Sequence, residues 1–176
     1  GLGPMLLPGP QGFIEDDATR VNPSYLPLPL LRRFATVDKQ GPWQALARNT
    51  VALLQQTSPH GFAPDWAAWR KGAFVVDPVR GAVGGYDAIR CYAWAGMTAA
   101  RDPLFRPQLQ VLSGPLQRLR SGGAMWEKVD TRSGQGQGEG NYGFRAALLP
   151  YLQAQGETQQ VQALMASLPT AEQQRS

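Results

Sequence analysis

The sequence predicts an all-α chain of paired helices, with short β pieces in its loops. Three observations carry this. Apolar residues recur at helical spacing in six stretches, and short links join these into three pairs. Proline stands near the first position of several stretches, where a helix needs no amide donor. Long irregular excursions, at 58–84 and 121–140, precede each new pair. Such a pattern suits an α/α toroid or solenoid better than a compact bundle. No fixed-period repeat points to a helical-repeat array.

Residues 1–26 read as loop and short extended pieces, punctuated by Gly3, Pro4, Pro8, Gly9, Pro10 and Gly12. Asn22-Pro23-Ser24-Tyr25 leads into a first helix, with Pro27 or Pro29 in its first turn and its end near Asp38. Gly41-Pro42 breaks the chain and starts a second helix. Trp43, Leu46, Ala47, Thr50, Val51 and Leu54 mark its inner face, and it ends near Thr57. Trp43 reads as core because its helical neighbours are apolar. The excursion 58–84 holds one β-like piece, Ala73–Val76. A third helix is expected from Tyr86 to Ala100. A fourth opens at Asp102-Pro103 and runs to Arg120, kinked or split at Pro107 or Gly114-Pro115. Glu127–Asp130 reads as a strand, and the Gly134–Gly138 run as a mobile, low-complexity loop. A fifth helix spans Tyr142–Gln155 and a sixth Thr158–Leu168. Residues 169–176 read as a frayed tail.

Composition narrows the function classes. With 176 residues, 43% hydrophobic and 17% charged, the chain has the material for one domain with a core. The 20 Gly and 15 Pro mark it as loop-rich and globular. No run of about 18 apolar residues would span a membrane. No signal-peptide pattern is visible, and the chain starts at Gly1, as a trimmed sequence does. The net charge of +4 is scattered over Arg32-Arg33, Arg70-Lys71, Arg118 and Arg120, with no stripe for nucleic acid. One cysteine, Cys91, excludes an internal disulfide and reads as a buried small hydrophobe. The single histidine, His60, follows Ser58-Pro59 and reads as a turn residue. With one His and one Cys, neither a His-rich metal site nor a Cys-based zinc cluster is available. No cofactor or metal is expected.

The most informative stretch is Gly84-Gly85-Tyr86-Asp87-Ala88-Ile89-Arg90-Cys91-Tyr92-Ala93-Trp94. If a helix starts near Tyr86, Asp87 and Arg90 lie one turn apart on one face. A guanidinium beside a carboxylate favours its ionised form, which suits a general base. The surrounding aromatics offer flat apolar surfaces of the kind that pack on sugar rings. The same pattern is also an ordinary helix start, its acid meeting the helix dipole. Both readings stand on the local sequence.

Five motifs occur in order: Gly3-Pro4-Met5-Leu6-Leu7-Pro8-Gly9; Asn22-Pro23-Ser24-Tyr25-Leu26; Gly61-Phe62-x-Pro64-Asp65-Trp66; Tyr86-Asp87-Ala88-Ile89-Arg90; and Phe144–Leu152. This series resembles glycoside hydrolase family 8 over about residues 1–168. The resemblance implies an (α/α)6 barrel and inverting, endo-acting hydrolysis of a β-1,4-glucan, with cellulose as the favoured substrate. It makes residues 1–176 one partial domain, the C-terminal half of that barrel. It assigns Asp87 as the general base, Arg90 as its charge partner, and Tyr86 to the cleft lining. Asn22 and Tyr25 become candidates for substrate contact. Asp65 and Trp66 lie in a matching segment and are further candidates for substrate binding, as is Arg90, with core packing an equal reading for Trp66. Tyr92 or Trp94 would join Tyr25 and Tyr86 in stacking on glucosyl rings.

The sequence departs from the family at two places. The family's general acid is a glutamate in the first half, and neither Glu15, Glu127, Glu139 nor Glu157 sits in its motif. An aromatic-bearing helix beyond Leu168 is also missing. The resemblance therefore implies an N-terminal half of the same enzyme as partner, and a periplasmic or secreted location. Two other readings stay open. One is a non-catalytic glycan-binding or scaffold fragment. The other is the same fold acting on xylan or on chitosan, for which Glu15-Asp16-Asp17 form one acidic cluster.

Overall fold

The computed structural model describes residues 2–15 and 17–169. Asp16 and, beyond Pro169, the predicted frayed tail lie outside the described residues. Seven α-helices are present among the described residues: α1 (Leu28–Val37), α2 (Trp43–Thr57), α3 (Ile89–Met97), α4 (Phe105–Val111), α5 (Gly114–Arg120), α6 (Tyr142–Ala154) and α7 (Thr158–Ala166). The chain is helix-rich, as expected; α1 packs on α2 and α6 on α7 as predicted, whereas α3, expected to pair with the helix that follows it, packs chiefly on α6.

The predicted fourth helix is split in two. Pro115 opens α5, and the backbone between the halves is used elsewhere. The amide of Gly114 donates to Gly61 O at 3.0 Å, and Tyr151 Oη donates to Leu112 O at 2.6 Å. Both bonds satisfy groups that a helix break leaves free. Burial pushes the Tyr151 phenol up to about 12.

Two small antiparallel sheets were only partly foreseen. One has the order β1 (Ile14–Glu15), β2 (Ala18–Val21), β3 (Ala67–Arg70), β4 (Ala73–Val76). Val21 pairs with Ala67, and Trp69 with Phe74. The other joins β5 (Val83–Gly84), β6 (Trp126–Asp130) and β7 (Gly136–Glu139). The Gly134–Gly138 run is therefore not a free loop: most of it forms β7, with Val129 opposite Gly136. Its backbone alone makes the ladder, so side-chain composition hid it.

The main core lies between α3, α4, α5 and α6, around Tyr92, Phe144, Leu148, Tyr151 and Leu152. α3 packs most extensively on α6. Gly96 permits this approach, because a Cβ there would strike the Pro150–Tyr151 backbone. Trp43 only rims its core cluster. It is half-buried, stacks near Phe34 at 4.8 Å, and donates from Nε1 to Asp38 at 3.0 Å. That indole N–H needs an acceptor, which holds the ring at the surface.

Three helices begin at the same end of the molecule. Residues just before α1, α3 and α6 contact one another there, as the bonds between Asn22 and Asp87 and between Asn141 and Tyr86 establish.

Candidate active site

Asp87 lies in the turn that leads into α3. The helix starts at Ile89, three residues later than expected, because residues 87–91 open with i+3 bonds: Arg90 N to Asp87 O and Cys91 N to Ala88 O. The expected one-turn pairing with Arg90 still forms. Arg90 Nη2 donates to Asp87 Oδ1 at 2.6 Å.

Asn22 supplies the second contact, donating from Nδ2 to Asp87 Oδ2 at 2.9 Å. It is 1% exposed and caps the 3-10 turn Pro23–Tyr25. Its Oδ1 accepts from Ser24 N at 3.0 Å and Ser24 Oγ at 2.6 Å. Ser24 Oγ in turn accepts from Arg90 Nη2 at 2.7 Å and Nε at 3.2 Å. Asn22, Ser24, Arg90 and Asp87 thus close a ring of hydrogen bonds. Each member's donors and acceptors are fixed by the next. Ser24 was not expected in the site. Its signal was the Asn-x-Ser spacing, which forms a side-chain turn.

Asp65 holds the same turn from below. Its Oδ1 accepts from the amides of Gly85 (2.8 Å), Asp87 (3.0 Å) and Ala88 (2.7 Å). These are donors that a helix start leaves unpaired, and here an acid from a distant loop caps them. Burial, with the Asp87 charge adding to it, pushes the Asp65 carboxyl above its usual range against the pull of those amides. Gly84 and Gly85 allow the fit: a Cβ on Gly84 would strike Ala63 O, and one on Gly85 would crowd Glu127 O at 3.2 Å.

The aromatic residues divide into two groups. Tyr25 and Tyr86 are 46% and 53% exposed beside the acid. Tyr25 lies under the Arg90 guanidinium at 5.6 Å, and Tyr86 packs edge-on against Phe144 at 4.9 Å. Tyr142, 56% exposed at the start of α6, adds a third ring at this end. Its neighbour Asn141 caps α6 and reaches Tyr86 Oη at 3.4 Å. Neither Asn141 nor Tyr142 was expected, because both follow the glycine-rich run.

Tyr92 is not available to stack on a ligand, while Trp94 is half-buried. Tyr92 is buried, and its Oη accepts from Ala63 N at 3.0 Å. Trp94 donates from Nε1 to Ser24 O at 3.0 Å, bracing the ring from the helix side. Trp66 packs parallel to Phe13 at 5.8 Å, with the Arg20 guanidinium 5.2 Å from its ring centre. It also lines the pocket beside Asp87. This pocket, about 340 Å³, is bounded by Asp65, Trp66, Arg80, Val83, Asp87 and Lys128. Three larger hollows among the described residues, about 490, 570 and 430 Å³, have no carboxylate in their walls.

The remaining titratable candidates are structural. Cys91 is buried, which pushes its thiol up. His60 sits in an exposed turn. In the acidic cluster, Asp17 pairs with Arg70. Among the described residues, no group of three His, Cys, Asp or Glu is placed to hold a metal, and no helix is long and apolar enough to cross a membrane.

A carboxylate pinned by two donors, on a face rimmed by exposed tyrosines, is the chief polar feature of this end of the molecule. The model of glycosyl hydrolases family 8 matches residues 1–170, and the chain belongs to that family. It is 50% identical to the endoglucanase of Xanthomonas axonopodis pv. citri (strain 306), covering 98% of this chain and 45% of that protein. Against the endoglucanase of Escherichia coli (strain K12) identity is 41%, over 87% of this chain and 41% of that one. The crystal structure of endo-1,4-D-glucanase from Vibrio fischeri ES114 superposes with a TM-score of 0.83 at 35% identity, over 95% of this chain and 51% of that one. The chain thus spans about half the length of the relatives it matches, roughly their C-terminal half.

Proposed function

We propose that this chain is the C-terminal half of an endo-acting β-1,4-glucanase that hydrolyses with inversion, Asp87 serving as the general base. One observation supports this above the others: Asp87 is held by Asn22 on one oxygen and Arg90 on the other, beside a pocket open to a ligand. Each oxygen has one donor and keeps a lone pair for water.

In this reading a water molecule bound at Asp87 attacks the anomeric carbon. Its proton passes to the carboxylate as the glycosidic C–O bond breaks. The leaving oxygen takes a proton from an acid on the N-terminal half. Inversion asks for about 6.5–9.5 Å between the two carboxyl groups, room for that water. Tyr25, Tyr86 and Tyr142 offer faces and edges for successive glucosyl units, which suits attack within a polymer. A polymer of this kind meets the enzyme outside the cytoplasm, so the location follows as periplasmic or secreted.

The N-terminal half also has a place to pack. Leu30, Phe34 and Val37 form an exposed stripe along α1, at i, i+4 and i+7. An apolar stripe of this kind on a terminal helix of the arc is suited to a neighbouring helix.

The test is Asp87→Asn in a protein of the relatives' full length, assayed on carboxymethyl-cellulose. The expected loss is about 10²–10⁴-fold in kcat. Activity within a few-fold of wild type removes Asp87 as the base.

A further inference from the structure

Asp65 stands in the wall of the pocket beside Asp87, as a substrate-binding candidate should, but its Oδ1 is committed to three backbone amides. We infer that Asp65 is a positioning residue: by clamping the amides of Gly85, Asp87 and Ala88 it fixes the turn that presents Asp87. This inference rests on the reading of Asp87 as the base.

The clamp is built from both sides. The backbone of Asp65 is itself anchored, since its amide donates to Val83 O at 2.7 Å. Two residues earlier, Ala63 N is held by the buried Tyr92 hydroxyl on α3. Val83 and Gly84 pair with Asp130 and Val129 of β6. The loop 63–65, the strand β5 and the start of α3 are therefore stitched into one unit, and among the described residues Asp65 Oδ1 is its only side-chain acceptor for the turn amides. Asn22 and Arg90 position the carboxylate of Asp87, while Asp65 positions its backbone. Without Oδ1, three amides of the one turn lose their acceptor and residues 85–88 are released together. A displacement of about 1 Å at a reacting group is enough to cost roughly 100-fold in rate.

What the clamp requires is an acceptor oxygen at one place, not a negative charge. Asn keeps that oxygen, Ala removes it, and Glu carries it one methylene too far. A residue that binds glucan would respond differently, in KM rather than kcat.

The experiment measures kcat and KM on carboxymethyl-cellulose for four variants of the full-length protein: Asp65→Ala, Asp65→Asn, Asp65→Glu and Asp87→Asn. The expected result is a fall of about 10- to 100-fold in kcat for D65A and D65E, with KM within about threefold, and D65N within about threefold of wild type in both. If D65A fails to fold, D65E carries the same comparison with the charge retained. A rise in KM at unchanged kcat overturns the inference in favour of substrate contact. Equal losses in D65N and D65A overturn it in favour of a role for the charge. If D87N is inactive while D65A and D65E match wild type, the positioning role fails and the base assignment stands. If D87N is active, the base assignment itself has failed.

Discussion

Asn22 faces Asp87 with its amide nitrogen, at 2.9 Å, and has no freedom to turn round. Its oxygen is committed to Ser24 N and Ser24 Oγ, so a flipped amide would set oxygen against carboxylate and nitrogen against an amide donor. Removing the donor should loosen Asp87; reversing it should do worse. Asn22→Ala is expected to lower kcat about tenfold, and Asn22→Asp by a further factor, because it brings a second carboxylate to 3 Å from the first. Steady-state rates on carboxymethyl-cellulose decide this. Equal activity in N22D and wild type would separate Asn22 from the function of Asp87.

Ser24 has no contact with the pocket, yet it joins Asn22 to Arg90. Ser24→Ala leaves the Arg90 Nε and Nη2 donors short of an acceptor inside a half-buried cluster. Hydrogen bonds to charged groups contribute about 1.5–3 kcal/mol, so a urea midpoint should register a loss of about 1–3 kcal/mol. Ser24→Thr keeps the hydroxyl and should recover most of it. Identical midpoints for S24A and S24T would mean that the bond is not the stabilising element.

The sequence spacing made some of this site readable and hid the rest for a physical reason. Asp87 and Arg90 are three residues apart, and an i,i+3 pair is a local fact that survived a late helix start. Asn22 is 65 residues from Asp87, and only the family resemblance brought them together. Asp65 lay in a matched segment, but its role as a cap for a turn 20 residues on depends on how two loops meet. Tyr92 looked like a ring-stacking residue because it follows the motif, whereas helix periodicity buries it, its hydroxyl accepting from Ala63 N. The β7 strand was missed because glycine gives a ladder no side-chain signature.

Asp65 also makes a prediction about stability and pH. Its folded-state pKa is raised, by burial first, so the fold favours its neutral form. For an acid raised on folding, the sign is the reverse of the paired case: ionisation costs stability, and the cost appears as pH rises through the unfolded value of about 3.9 toward the folded one. Asp65→Asn keeps the acceptor and removes the charge. The difference in melting temperature, D65N minus wild type, should therefore grow more positive between about pH 3.5 and pH 7. A difference that stays flat across this range would mean the carboxylate is not penalised in the fold.

Asp102 behaves in the opposite way. It accepts from Arg32 Nε at 2.6 Å and Nη2 at 3.0 Å, and from Leu104 N at 2.8 Å. Burial raises its carboxyl, but the Arg32 hydrogen bonds, the Leu104 amide and the Arg32 charge outweigh this and leave it below the usual range. A lowered folded pKa gives stability that is complete above the unfolded value of about 3.9 and disappears as pH falls through the folded one. Melting temperature should drop with acid in wild type and less steeply in Asp102→Asn. The variant itself should be less stable by about 1–3 kcal/mol at neutral pH, because Arg32 keeps its position and loses its partner. Parallel acid profiles would show that the pair contributes nothing.

The contact of α3 with α6 at Gly96 sets helix propensity against packing, and the magnitudes choose between them. Glycine within a helix is about 1 kcal/mol less favourable than alanine, so Gly96→Ala should stabilise an isolated or loosely packed α3. Here the added Cβ meets the backbone of Pro150 and Tyr151, not the end of a flexible side chain. Overpacking of this kind costs about 1–3 kcal/mol, and a rigid backbone neighbour puts it at the upper end. Packing should win, and a urea titration of G96A should show a net loss of about 1–2 kcal/mol. Because α3 carries Arg90 and the cap of α6, Asn141, bonds to Tyr86, separating the two helices should also lower kcat. A midpoint at or above wild type would mean that α3 and α6 are not held at this distance in solution.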